Sequence, residues 1–305
     1  MEITADINLT KEQRARMELH SFLNILNILV GELQLLRLDL DQPEALPECT
    51  RMVESVLQAI EDGNLDDGLT WELAALNIFF DREIQEARAA AGAAGKDPGV
   101  QESVNNLNSI LRVLTLRLEE RRERIRNGSN WLPRSAKRLT ENFMKFLAAV
   151  EKNSRGRYHI IFNVAAQESN DYLVNLKIEG PGGDTLVMPP VMQDVFRDLI
   201  ANARKYTPPG GEITAGLAQT NKELRLVVED NGKGIPQKEI GRVVEFGYRA
   251  KGTRDQTTKG GGFGLTKAYV TTRELGGRMW IESEEGRGTK IIIHIPMPGE
   301  QRVAV

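Results

Sequence analysis

Three short segments carry residue types that could hold a nucleotide. The first is Asp198-Leu-Ile-Ala-Asn202-Ala-Arg-Lys205-Tyr206. Asp198, Asn202 and Lys205 fall at i, i+4 and i+7, which is one face of a helix. A carboxylate and an amide oxygen on that face can hold Mg2+, and Lys205 can meet phosphate charge. The same spacing also describes the wet face of an ordinary amphipathic helix. The second segment, Asp230-Asn-Gly232-Lys-Gly234-Ile235-Pro236, follows the apolar run Leu224 to Val228. A carboxylate at a strand end can accept a hydrogen bond from the exocyclic amine of adenine. Gly232 and Gly234 let the backbone approach a flat ring, although Asn-Gly alone marks a turn. The third segment is Gly260-Gly261-Gly262-Phe263-Gly264-Leu265. Successive unhindered N–H groups entering a helix make a phosphate cradle, with a plain linker as the alternative. It has neither P-loop nor dinucleotide-fold spacing, and the HRD and DFG triplets of common protein kinases are missing from the sequence. Residues Arg249 to Lys259, between the second and third segments, read as a mobile lid.

A second chemistry belongs to histidine, of which the chain has 3. His159 and His294 sit inside apolar strand runs and read as structural. His20 lies on a long helical pattern, followed by Asn24, Asn27, Gly31 and Gln34 at i+4, i+7, i+11 and i+14. These positions make one narrow polar stripe, with leucines, isoleucines and Phe22 over the remaining surface. A histidine heading such a stripe is a candidate nucleophile, and a bundle helix with a polar solvent side is the plainer reading.

The elements that must position these groups differ between the halves. Up to about residue 152 the pattern is helical: a helix capped by Thr10 or Asn8 to about Leu40, then 48–62, 69–91, 101–127 and 134–152, the last opened by Pro133. The small-residue tract Ala89 to Gly99 reads as a flexible connector. The charges of Arg117 to Arg126 sit at helical spacing, Glu120 with Arg124 for one, and read as a solvated helix end. From Tyr158 onward, β-rich runs alternate with glycine-rich turns: a strand near Tyr158, a helix at 190–206, strands at 212–219 and 223–230, a helix near 264–275, and strands at 278–283 and 289–295. The expected fold class is α+β, an all-α helical bundle in residues 1–152 followed by an α/β sandwich in 153–305.

Composition excludes several classes. The 305 residues carry 40 Lys plus Arg and 43 Asp plus Glu, net −3, so no basic footprint for nucleic acid exists. Charged residues are 27% and hydrophobic residues 40%, ordinary for a folded chain. One cysteine, Cys49, permits no intrachain disulfide and no thiolate zinc cluster. The apolar run Ile25 to Val30 is too short to span a membrane. With no visible leader, the expected location is the cytoplasm.

In order and spacing the three segments resemble the N, G1 and G2 boxes of the ATPase superfamily shared by gyrase, Hsp90, MutL and sensor histidine kinases. Gly286-Arg-Gly288-Thr289 before the last strand resembles that family's closing motif, and Val244 to Arg249 partly resembles the phenylalanine box of histidine kinases. The resemblance covers about residues 155–298 and implies ATP with Mg2+ as cofactors. It implies Mg2+ at Asn202, with Asp198 beside it, and adenine at Asp230, Gly232 and Gly234. Phosphates fall near Lys205 and glycines 260, 262 and 264, and Tyr206, Leu265 and Thr289 complete the set. About seven residues follow Pro298, so the additional mass lies before the ATPase unit, as in histidine kinases.

That branch implies His20 as phosphoacceptor, with Leu19-His20-Ser21-Phe22-Leu23-Asn24 similar to the H box and Asn24 at the position that orients a hydrolytic water. It implies a homodimer through the helical bundle, a response-regulator receiver domain as partner and a separate sensor protein as a source of input. Two departures stand out: Ser21 replaces the usual acid after the histidine, and Asp198 replaces the usual Asn of histidine kinases. Asp198 could supply basic function or additional Mg2+ affinity. A protein serine kinase of the mitochondrial dehydrogenase-kinase type and an ATP-responsive scaffold without phosphotransfer remain alternatives.

Overall fold

The computed structural model describes residues 1–61, 67–152, 154, 156–250 and 261–299. The chain divides into two compact units, Thr10–Arg122 and a second composed of Met1–Leu9 with Glu123–Val305.

The first unit is helical. Helix α1, Lys11–Asp39, starts at Thr10, whose side chain and that of Gln13 form a reciprocal capping box. Leu19, Phe22, Leu26, Leu29, Leu33 and Leu36 recur every three or four residues and are all buried, so one face of α1 drives its packing. They meet Cys49, Val53, Val56 and Ile60 of α2, Pro47–Glu61, in one core. The α1–α2 connection is fixed by Arg37, whose Nε donates to the Ala45 carbonyl at 2.7 Å and whose guanidinium reaches the Thr50 hydroxyl at 2.8 Å. Helix α3, Asp67–Ala90, contributes Phe80 and Ile84 to the core. Its Glu83 carboxylate accepts from the backbone N–H groups of Glu48 and Cys49 at 3.0 and 2.8 Å, satisfying the open amides at the start of α2.

Helix α4 runs over Pro98–Asn127. Between α3 and α4 the expected flexible connector is instead a built corner. Gly92, Ala94, Lys96 and Asp97 each donate to a carbonyl three residues back, and Arg88 Nε donates to the Gly95 carbonyl at 2.9 Å. A Cβ at Gly95 would collide with the Arg88 backbone, so the small residues serve close packing.

In the second unit a six-stranded mixed sheet is covered by helices. Its strands are β2 (Ile160–Ile161), β3 (Tyr172–Glu179), β5 (Glu212–Gln219), β6 (Glu223–Asp230), β7 (Arg278–Glu284) and β8 (Gly288–Pro296), in the order β2-β3-β5-β6-β8-β7. The β2–β3 and β3–β5 pairs are parallel and the others antiparallel. Alternate residues of β5 and β6, including Ile213, Ala215, Leu217, Leu224, Leu226 and Val228, face the core. Helices α5 (Ala136–Lys152), α6 (Val191–Tyr206) and α7 (Gly264–Glu274) pack on them through Phe143, Leu147, Phe196, Leu199, Ile200 and Tyr269.

Three differences from the sequence expectation have physical causes. First, β1 (Leu132–Ser135) pairs antiparallel with β4 (Thr185–Met188), so the expected helix at 134 begins at Ala136. Asp184 starts it by accepting from the Lys137 amide and the Ser135 hydroxyl, both at 2.7 Å. Second, α5 belongs to the sheet core, so the contacts divide at residue 122/123 and not at the expected 152/153. Third, residues 1–3 lie along β7: Ile3 N–H donates to the Met279 carbonyl and Ile281 N–H to the Met1 carbonyl, each at 2.9 Å. Among the described residues no single helix is long and apolar enough to cross a membrane.

Candidate functional site

Helix α6, β6 and α7 place most of the expected nucleotide residues in the second unit. Alternation in β6 buries Leu224, Leu226 and Val228 and delivers Asp230 at the strand end. Asp230 pairs in register with Thr289 of β8 and its carboxylate accepts from the Gly232 N–H at 2.9 Å. Burial pushes its pKa up to about 6, although hydrogen bonds from Gly232, the Thr289 backbone and the Thr207 side chain oppose the shift. Asp230 is therefore held in one direction at a partly desolvated position, ready to accept from a donor. Thr289 Oγ1 lies 2.9 Å from Ser283 Oγ, and that hydroxyl also accepts from the Ile235 N–H at 2.7 Å, tying β8 and β7 to the loop that carries Gly234.

The glycines of that loop serve the protein's own backbone. Gly234 has φ +68°, and a Cβ there would run into the Glu284 carbonyl. Close approach to a carbonyl across the loop, and not approach to a flat ligand, is what this geometry requires.

Asn202 lies on α6 against the start of α7. A Cβ at Gly264 would stand 2.7 Å from Asn202 Nδ2, so the amide and the glycine segment touch because residue 264 has no side chain. Gly262 has φ +72°, and a Cβ there would press on the Tyr248 carbonyl. Phe263 stacks against Phe246, ring centroids 4.7 Å apart, which gives the partial phenylalanine-box resemblance a physical role in seating the segment. Leu265 packs against the sheet core. Gly260 and most of the expected lid, 251–259, lie outside the described residues.

Lys205 is half-buried, and its ammonium lies 5.3 Å from the centre of the Tyr206 ring. Burial and the neighbouring cations Arg249 and Arg204 lower its pKa. A partly desolvated ammonium in the field of two further cations is a position that an anion would stabilise. Burial raises the pKa of Tyr206 despite Arg249. The sequence reading had placed Arg249 only at the edge of a lid, without this part in the charge around Lys205.

Asp198 is drawn into a pairing that sequence reasoning missed. Its Oδ2 lies 2.9 Å from Lys267 Nζ of α7, which is also 3.5 Å from Asp194 Oδ2. Asp194 in turn meets Arg124 at 2.9 Å and Arg197 at 3.5 Å. The available signal was charge where a covered helix should be apolar: Lys267 directly precedes Ala268-Tyr269-Val270, all buried. Among the described residues no group of three or more His, Cys, Asp or Glu could hold a metal by itself. The residues present fit a metal held by one amide, Asn202, together with the phosphates of a bound ligand.

The candidate phosphoacceptor is in the helical unit. His20 and Asn24 of α1 are half-buried, and Asn27 and Gln34 farther along the polar stripe are exposed. Asn24 Nδ2 lies 3.2 Å from His20 Nε2. The Asn24 amide thus lies within hydrogen-bond distance of a ring nitrogen of His20 one turn away on the same helix. The other histidines are paired with acids: His159 Nδ1 is 3.2 Å from Glu151, and His294 Nδ1 is 3.1 Å from Glu223. His159 is exposed just before β2, outside the strand interior expected for it.

Comparison with known proteins fixes the relationship of the second unit. Residues 189–299 match the family described as histidine kinase-, DNA gyrase B-, and HSP90-like ATPase. The segment from α6 to β8 is an ATPase domain of this family. Similar curated proteins are sensor histidine kinase WalK of Bacillus subtilis, 37% identical over 109 residues, and adaptive-response sensory kinase SasA of Synechococcus elongatus, 36% identical over 111 residues. These matches cover 35% and 36% of this chain but only 18% and 28% of the relatives. Among solved structures, a mycobacterial sensor histidine kinase, MprB, aligns over 54% of this chain and 97% of its own, with 19% identity and a TM-score of 0.40. The ATPase domain binds ATP, and Asp230, Asn202 and the Gly264 segment all lie within the matched residues.

Proposed function

We propose that the chain is an ATP-dependent protein histidine kinase of two-component signalling, with His20 as phosphoacceptor. The observation that carries the reading is the seating of Asn202 against Gly264 on the ATPase domain, in a chain that also presents a half-exposed histidine whose Nε2 lies 3.2 Å from Asn24 Nδ2.

Each residue has a part that follows from its surroundings. The Asp230 carboxylate accepts from the exocyclic amine of adenine, and the pairing of Asp230 with Thr289 holds that carboxylate at the strand end. The amide oxygen of Asn202 would hold Mg2+, which supplies charge neutralisation on the phosphates when bound. Lys205, backed by Arg204 and Arg249, draws the phosphate end, and the N–H groups entering α7 at Gly264 donate to it. On α1, Asn24 releases Nε2 so that His20 can attack the γ-phosphorus in line with the departing diphosphate. A receiver-domain aspartate on a separate response regulator then takes the phosphoryl group. Helices of a second copy pair with the bundle to make a homodimer, and input arrives from a separate sensor protein in the cytoplasm.

The test uses the full chain with γ-labelled ATP and Mg2+. Acid-labile, base-stable label on the wild type that is lost in His20→Gln, and that chases onto a receiver domain, supports the reading. Acid-stable label means transfer to a hydroxyl, and bound ATP with no label means a nucleotide-responsive scaffold. Mixing a His20→Gln chain with an Asn202→Ala chain tells whether one copy phosphorylates the other.

A further inference from the structure

Helices α6 and α7 are joined by a buried ionic cluster that neither the nucleotide nor the phosphoacceptor chemistry requires. Lys267 is only 5% exposed, Asp194 6% and Arg197 0%. Lys267 Nζ lies 2.9 Å from Asp198 and 3.5 Å from Asp194. Asp194 also takes Arg124 at 2.9 Å, and Arg197 stands over the rings of Phe143 and Phe146 at 5.7 and 5.6 Å. A hydrophobic pair would hold two helices together with less desolvation cost, so such a cluster is weak as a pure stabiliser. What it fixes is direction and charge.

The location gives that direction a use. Asp198 is one helical turn before Asn202 on α6, and Lys267 is three residues after Gly264 on α7. The ion pair therefore sits one turn behind the point where the Asn202 amide meets the glycine segment. An uncompensated carboxylate there would repel a triphosphate and compete for its metal; a carboxylate held by an ammonium does neither.

We infer that Lys267 is a positioning residue: it turns the Asp198 carboxylate toward α7 and cancels its charge, so that the metal meets Asn202 alone. The inference rests on the nucleotide-site reading above. Arg124 and Arg197 share Asp194 with Lys267, whose ammonium lies nearer to Asp198, 2.9 Å against 3.5 Å. Asp198 then acts as an internal counter-ion and not as the base or second Mg2+ ligand that its carboxylate offered in the sequence.

The test measures affinity of the full chain for a fluorescent, non-hydrolysable ATP analogue with EDTA and with saturating Mg2+, alongside thermal unfolding of the ligand-free chain. In Lys267→Met the loss of the ammonium 2.9 Å from Asp198 should weaken binding about tenfold in EDTA. Added Mg2+ should recover much of that loss, so the ratio of the two affinities rises. Lys267→Arg should keep the wild-type ratio, and the double variant Asp198→Asn/Lys267→Met should restore it. A merely structural role lowers both affinities together, in step with the melting temperature, and leaves the ratio unchanged; that result overturns the inference. If Lys267→Met does not fold, the double variant decides: a wild-type ratio supports the inference, and a folded double variant with an altered ratio overturns it. Absence of nucleotide binding by the wild type would instead overturn the nucleotide-site reading.

Discussion

Helices α1 and α6 both carry polar residues at helical spacing, yet they use them in opposite ways. On α6, Asp194, Arg197 and Asp198 are covered and paired, and Asn202 is wedged against Gly264. On α1, His20 is held by its neighbour Asn24 one turn away, and the stripe opens to solvent at Asn27 and Gln34. A site that must meet the same ligand repeatedly gains from preset geometry. A group that must reach one partner to be charged and another to be discharged gains from access. The two stripes thus differ in cover: one is tied into ion pairs and a glycine contact, and the other opens to solvent.

The largest expected effect separates the two helices directly. His20→Gln should abolish acid-labile phosphorylation, while titration with an ATP analogue still gives wild-type affinity; loss of both would mean that the acceptor stripe supports the donor site. Next is packing. Phe196 on α6 is fully buried beneath the site, ring to ring with Phe143 at 5.1 Å. Phe196→Ala should cost about 3–5 kcal/mol in urea unfolding of the second unit. Leu38→Ala on α1, at a residue 75% exposed, should stay within about 0.5 kcal/mol.

A third change is local. Gly264→Ala places a methyl group against the Asn202 amide and should weaken Mg2+-dependent analogue binding about tenfold or more, without altering the melting of α1. Binding as tight as wild type would break the claim that this contact is preset.

The smallest effect is graded by pH. Asp230 titrates at about 6 when folded, above its ordinary 3.8. The fold therefore prefers the protonated acid: its contribution to stability is complete below about 3.8 and is lost as pH rises through 6. On the proposed reading the adenine amine donates to the carboxylate, so affinity should move the other way, falling by up to about tenfold for each unit below 6. Isothermal titration at pH 5, 6 and 7 reads it, and Asp230→Asn should flatten the profile.

Much of this architecture was legible in the residues. The spacing of Leu19 through Leu36, the Thr10 cap, and the strands around Leu224 and Ile293 each follow from local pattern, and the structure has them within a residue or two. Strand β3 was missed although Asn175 to Glu179 alternate polar and apolar residue by residue, with Leu176 and Ile178 only half-buried. The corner around Gly95 looked like a linker because small residues in a row do not reveal what presses on them. Pairing between distant elements was the least legible: nothing near Lys267 in sequence names Asp198, and nothing near Arg249 names Lys205. Gly234 was read as making room for a ring; what the structure has at that position is close approach to the Glu284 carbonyl.

The strip formed by residues 1–3 along β7 has a consequence for solvent exchange. A sheet edge normally leaves every second amide open to water, but here Ile281 N–H is committed to the Met1 carbonyl and Ile3 N–H to the Met279 carbonyl. The opposite edge, β2, is only two residues long. Amide deuteration should therefore find Ile281 among the slowly exchanging positions of an outer strand, and its protection should vanish when residues 1–3 are removed. That one amide would report whether this stretch of the edge is zipped shut.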